Sequence, residues 1–423
     1  MNDLNFYDPK ETRTTAEREA DLMAALPIQI ANAQSNSSAF AHILKNIDAS
    51  QINTRAALAA LPVTRKHELL EHQAAARAAN PSQKNVFGGF NTKPFGSTMP
   101  RVFASPGPIY EPEGKAADYW RMARSIYAAG FRAGELIHNC FSYHFVPAGS
   151  MMESGAHAVG CTVFPGGTGQ TEQQVQAIQH LQPSGYIGTP SFLKIIVEKA
   201  LELGQPLPKS FNKAMLGGEA FPPSLRDWLL ARGIAGYQCY ATADLGLIAY
   251  ETEAREGLVL DEDVILEIVR PGTGDPVPEG EVGEVVVTSL NPDYPLIRFG
   301  TGDLSAVLAG NCPTGRTNIR IKGWMGRADQ TTKMRGMFVH PGQIDTVAKR
   351  FPEIKRARMV VSGEMANDQM LLKAEVAGMH DDLAERIGAA VREITKLRAD
   401  VELCAVGSLP NDGKVIEDAR SYQ

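Results

Sequence analysis

Gly326-Arg327-Ala328-Asp329 is followed, after a short polar step, by Lys333-Met334-Arg335-Gly336-Met337-Phe338-Val339-His340-Pro341-Gly342-Gln343-Ile344. The first four residues read as a turn. The next run is a short apolar strand carrying basic residues and a glycine. Pro341 suits the first turn of a helix, where its missing N–H has no partner to lose. The stretch therefore reads as a junction between a large N-terminal domain, residues 1–326, and a small C-terminal domain, residues 327–423.

Working outward, residues 330–423 predict β-α-β-β-α-β, with helices over Pro341–Arg350 and Asp381–Leu397. The strands fall near Arg356–Ser362, Leu371–Val376 and Val401–Val406. That is a small α+β domain. Upstream, residues 258–308 predict strands at Val264–Val269, Glu284–Thr288 and Leu304–Leu308, separated by Pro/Gly turns, an antiparallel β subdomain. Residues 115–250 alternate helices with short apolar strands, for example Ala117–Ala129 (helix), Cys161–Pro165 (strand), Glu172–His180 (helix) and Lys213–Leu216 (strand). Such alternation argues for α/β with a largely parallel sheet. Residues 80–114 are rich in Gly, Pro, Asn and Ser and predict mostly loop. Residues 11–35 and 64–79 have helical spacing, with Thr64 as the expected cap of the second.

The 423 residues carry 42 Lys plus Arg against 48 Asp plus Glu, a net charge of -6. A mildly acidic chain gives no electrostatic case for nucleic acid or an anionic membrane as partner. No apolar run approaches the ~20 residues of a membrane span. Cys140, Cys161, Cys239, Cys312 and Cys404 are scattered, with no CxxC pair, so neither a disulfide framework nor a zinc site is expected. Cytoplasm is the expected location.

Several motifs appear in a fixed order: Leu61-Pro62-Val63-Thr64-Arg65-Lys66, Thr171-Glu172-Gln173-Gln174-Val175, Gly188-Thr189-Pro190-Ser191-Phe192, Gly217-Gly218-Glu219-Ala220, Tyr240-Ala241-Thr242-Ala243-Asp244, Pro295 to Leu304, and Ser408 to Lys414. Together with the Gly326–Ile344 junction they resemble the phenylacetate-CoA ligase branch of the adenylate-forming enzymes, from about residue 60 to the C-terminus. The resemblance implies activation of a carboxylic acid by ATP to an acyl-adenylate, then transfer to coenzyme A. Through it, Gly217, Gly218, Glu219, Tyr240 and Ala241 are expected at the nucleotide, with Tyr240 stacked on adenine. Asp303 is expected on the ribose hydroxyls, with Arg327 also on the nucleotide. Asp244 stands in place of a glutamate that holds Mg²⁺, and Lys414 is expected between carboxylate and α-phosphate. Asp329 would be the hinge, and Lys333, Arg335 and Gly336 would meet coenzyme A. Phe141, His144 and Gly149 would line a pocket for an aryl or arylacetic acid; the same stretch also reads as a buried strand with core aromatics. The resemblance also implies a homodimer; some relatives carry a Cys/His cluster after the Tyr240 region, but Glu251-Thr252-Glu253 and Gly257-Leu258-Val259 hold no such ligands here, so no zinc is expected.

One segment departs from the family pattern. Where the family's phosphate loop reads roughly Ser-Ser-Gly-Thr-Thr-Gly-Lys-Pro, this chain has Ser105-Pro106-Gly107-Pro108-Ile109-Tyr110-Glu111-Pro112. Ser105 and Gly107 persist as expected nucleotide contacts. The threonines and the lysine are gone, two prolines remove amide donors, and Glu111 is expected to repel phosphate. This leaves two functional expectations: an acid-CoA ligase, or a divergent acyl-transfer or nucleotide-binding member that does not itself hydrolyse ATP.

Overall fold

The computed structural model describes residues 5–105, 108–328, 330, 332–334, 337–363, 369–378 and 382–419, with backbone alone at 333, 334, 337 and 338. The chain divides into two compact units. The first comprises Met1–Leu266, Val287–Phe299 and Leu308–Trp324; the second comprises Glu267–Val286, Gly300–Val307 and Met325–Gln423. Among the described residues no helix is long and apolar enough to cross a membrane.

The first unit is built on a mixed sheet. Its order is Thr162–Pro165, Leu136–Asn139, Gly185–Gly188, Lys213–Leu216, Ala235–Thr242, Gly246–Glu251, Leu258–Leu260 and Arg320–Ile321. The first five strands are mutually parallel. From Gly246 onward the pairing is antiparallel. Helices Ala148–Val159, Thr171–Leu181, Pro190–Glu202 and Pro223–Leu230 intervene between the parallel strands. Their apolar positions close two cores, one around Ile137, Ile187 and Met215, the other around Tyr186, Leu193 and Leu216. This is the α/β alternation the sequence predicts.

Two local expectations are corrected and a third is refined. Helix Ala117–Ala129 shrinks to Ala123–Ala128, because the Asp118 carboxylate accepts from the Met122 and Ala123 amides at 2.8 and 2.9 Å. Arg121, at φ 63°, turns the chain just before it. Thr64 does not cap a helix; it sits in the short strand Thr64–Arg65, and its amide donates to Arg298 O at 3.1 Å. The helix Lys66–Ala79 begins behind it, with Glu68 accepting from the Arg65 amide. Residues 80–114 are mostly loop, as expected, but within them Arg101–Ser105 and Ile109–Glu113 form an antiparallel hairpin in which Ser105 faces Ile109. Gln73, fully buried on the helix Lys66–Ala79, clamps Tyr110 by accepting from its amide and donating to its carbonyl, both at 2.9 Å. Side-chain hydrogen bonding thus satisfies a strand whose composition reads as loop.

The second unit carries a four-stranded sheet in the order Asp400–Cys404, Gln369–Val376, Ile354–Ser362 and Ile416–Asp418. The central pair is antiparallel and both outer pairings are parallel. Helices Pro341–Lys349 and Leu383–Thr395 bury Ile344, Val347, Leu383, Ile387 and Val391 on it. The added strand Ile416–Asp418 extends the expected β-α-β-β-α-β order.

Candidate active site

In open α/β sheets, ligands bind beyond the carboxyl ends of the parallel strands. In the first unit those ends carry most of the residues singled out from the sequence. The strand Leu136–Asn139 leads into Phe141 and Gly149, Lys213–Leu216 into Gly217, Gly218 and Glu219, and Ala235–Thr242 holds Tyr240 and Ala241 and leads into Asp244. Each loop is held locally. Asn139 donates to Tyr143 Oη at 2.8 Å and to Gly149 O at 2.9 Å, and Tyr143 donates to Glu153 at 2.9 Å. Glu219 accepts from the Ser191 amide at 2.6 Å, joining two of the loops.

Three glycines in these loops hold positions that a side chain would not suit, by clash at Gly149 and Gly217 and by backbone conformation at Gly218. A Cβ on Gly149 would lie 2.8 Å from Ser142 O and from the Tyr143 ring. One on Gly217 would lie 2.8 Å from Cys239 Sγ, and Gly218 holds φ +79° beside the Phe141 ring. The backbone therefore approaches the aromatic wall closely. Phe141 is buried, whereas His144 points to solvent. His138, at the same strand end, is fully buried and bonds Gln174 Oε1 through Nε2 at 2.7 Å. Burial pushes its imidazole down to about 4, so it is neutral near pH 7.

The hairpin Arg101–Glu113 contributes a second cluster. Glu111 is fully buried and accepts from Ser105 Oγ at 2.6 Å. Its carboxyl lies near enough to Asp244 for the two charges to interact. Asp244, 4% exposed, accepts from Lys66 Nζ at 2.8 Å. Glu111 Oε2 and Asp244 Oδ1 meet no donor among the described residues. Burial first, and the Asp244 charge second, push the Glu111 carboxyl up to about 8. Glu111 is thus turned into the protein, toward Asp244. Lys66 was legible only as part of a motif, since 178 residues separate it from Asp244; no local signal gives it a role.

In the second unit, Arg327 Nη1 donates to Asp303 Oδ1 at 2.7 Å, and the chains pair there through the Leu304 amide to Gly326 O and the Ala328 amide to Gly302 O. Gly302, at φ +73°, leaves space for the guanidinium, which a Cβ would meet at 2.8 Å. Lys414 is exposed on a pinned turn. Gln330 donates to Gly413 O at 2.8 Å, Arg358 to Lys414 O at 3.1 Å, and the Val282 amide to Asn411 Oδ1 at 3.2 Å. The turn borders a cavity of about 70 Å³ that Arg270, Val282, Ile344 and Arg356 also line. Gly107, Asp329, Arg335 and Gly336 lie outside the described residues, as does the side chain of Lys333.

Residues 116–291 match the family model of the AMP-binding enzymes. The phenylacetate-coenzyme A ligase of Thermus thermophilus is 34% identical over 293 residues, 67% of this chain and 65% of that protein. That of Pseudomonas putida is 31% identical over 310 residues, covering 69% of this chain and 70% of its own length. Among solved structures, an open conformation of 2-hydroxyisobutyryl-CoA ligase in complex with 2-HIB-AMP and CoA superposes with a TM-score of 0.70 at 25% identity, covering 97% of this chain and 95% of the other. The chain belongs to the AMP-binding enzymes, in the branch of the phenylacetate-coenzyme A ligases, which are ATP-dependent carboxylate-CoA ligases.

Proposed function

We propose that this protein is an AMP-forming acid-coenzyme A ligase for an aryl or arylacetic carboxylic acid. The observation that carries the substrate class is the wall formed by Phe141 against Gly217 and Gly218, beside the Gly149 backbone. An aromatic face with close backbone around it suits a flat apolar acid. In this reading the carboxylate attacks the α-phosphorus of ATP and pyrophosphate leaves. The thiol of coenzyme A then attacks the acyl carbonyl and AMP leaves.

The residues act as follows. Gly217 and Gly218 let the nucleotide approach the backbone, and Tyr240 stacks on adenine. Asp303 accepts from the ribose hydroxyls, a two-acceptor use of one carboxylate, with Arg327 beside it. Lys414 brings positive charge to the α-phosphate as charge builds there, the kind of preorganised electrostatics that dominates many enzymes. Asp244, whose Oδ1 is buried without a donor, would hold a Mg²⁺ ion, which would supply positive charge for the phosphates of the nucleotide. Asp329 serves as hinge, and Lys333, Arg335 and Gly336 serve coenzyme A.

Pyrophosphate release from ATP tests the reading, with phenylacetate, benzoate and short aliphatic acids as substrates and coenzyme A present. Turnover with the aryl acids is expected. Release at background for every acid would leave only the divergent acyl-transfer reading, which predicts AMP binding without ATP use.

A further inference from the structure

Glu111 occupies the place where the family's phosphate loop has a lysine, and the structure gives it a use. Its Cα lies in the hairpin opposite Phe103, so its side chain falls on the inner face together with Ser105. It is fully buried, and Asp244 is 4% exposed. Ser105 Oγ holds Glu111 Oε1, and Lys66 holds Asp244 Oδ2. Those two bonds leave one oxygen of each carboxylate, Glu111 Oε2 and Asp244 Oδ1, buried with no donor among the described residues. Burial raises the hydroxyl of the fully enclosed Tyr294, and the nearby Glu111 and Asp244 charges add to it.

Two buried carboxylates near enough to interact repel each other, and only a proton or a cation makes the arrangement acceptable. Ammonium is already present at 2.8 Å on the outer oxygen of Asp244. The inner pair of oxygens is a hard, anionic, two-ligand seat. Mg²⁺ is commonly held by one or two carboxylates, with waters and substrate phosphates completing its octahedron. Among the described residues no larger group of His, Cys, Asp or Glu is gathered to hold a metal.

We propose that Glu111 and Asp244 together form a divalent-cation site, so that the loop position that carries a lysine in the family here grips the triphosphate through a metal instead of by direct charge. The inference rests on the ligase reading only for the identity of the ion's partner; the site itself stands on the two orphan oxygens. Lys66 competes with the cation for Asp244.

Mn²⁺ titration of the nucleotide-free protein, followed by electron paramagnetic resonance of the unbound ion, tests this. Wild type is expected to bind one Mn²⁺, and both Glu111→Gln and Asp244→Asn to weaken it at least tenfold. Lys66→Met, which leaves both carboxylates in place, is expected to bind several-fold tighter and serves if Glu111→Gln does not fold. Mn²⁺ bound equally by Glu111→Gln and wild type, or not affected by Lys66→Met, would overturn the site. Pyrophosphate release is measured on the same wild-type preparation. Its absence beside an intact Mn²⁺ result defeats the ligase reading alone, and its presence beside an unaffected Glu111→Gln defeats the metal site alone.

Discussion

Arg327 Nη1 lies 2.7 Å from Asp303 Oδ1, so two residues expected on a nucleotide are bonded to each other. Arg327 keeps 55% of its side chain exposed while Asp303 keeps 11%. The arginine therefore orders the carboxylate and still presents its outer nitrogens. A hydrogen bond to a charged group contributes roughly 1.5–3 kcal/mol. Asp303→Ala is expected to weaken AMP binding by about 10- to 100-fold at ~1.4 kcal/mol per decade. Arg327→Ala should weaken it less. Calorimetry with AMP checks both; an Asp303→Ala protein that binds AMP like wild type would remove Asp303 from the nucleotide site.

His138 makes stability depend on acid. Its imidazole titrates near 4 when folded and near 6.5 when unfolded. Between those values the unfolded chain binds more protons, so stability is full above about pH 6.5 and declines as pH falls toward 4. The full loss is on the order of 3 kcal/mol, at about 1.4 kcal/mol per pKa unit. Denaturant unfolding at pH 7 and pH 4.5 should show it, and His138→Gln should flatten the difference. An equal slope in the variant would mean that other groups carry the acid sensitivity.

The Lys414 turn separates chemistry from stability. Lys414 is exposed, so Lys414→Ala should melt like wild type while adenylate formation falls by roughly 10²–10³-fold, the usual size of a lost transition-state donor. Gly413 holds φ +71°, and a Cβ there would lie 2.7 Å from Val282 Cγ1. Gly413→Ala should therefore cost about 1–3 kcal/mol of stability through strain and overpacking. Melting curves and pyrophosphate release, read side by side, distinguish the two; Lys414→Ala with undiminished release would dismiss the lysine from catalysis.

Phe141 should decide which acid is used. Removing its ring takes away roughly 1.5–3 kcal/mol of apolar contact. Phe141→Ala is expected to raise KM for phenylacetate about tenfold or more on that basis, with short aliphatic acids little affected. Michaelis curves for the two classes check it, and a parallel rise for both would point to a general loss of structure.

Much was legible in the sequence because it rests on local pattern. The alternation from residue 115 to 250, the β-rich middle and the C-terminal helices follow from periodicity, and the ordered motifs fall at or just beyond strand ends for Gly217, Tyr240 and Asp244 and within the strand Phe299–Ser305 for Asp303. The misread segments are those where side chains at a distance override composition. Asp118 shortens a helix by capping it late. Gln73 makes a strand of a proline-rich stretch by clamping Tyr110.

What the sequence alone determined is the family and the identity of the acids and bases. What only the tertiary structure decided is their pairing. Glu111 reads in the sequence as a repulsive charge in a phosphate loop; folding turns it inward, onto Ser105 and Asp244. Lys66 and Asp244 meet across 178 residues. Burial sets the charge state of such groups, because desolvation and a neighbouring charge act through space and leave no trace in residue order.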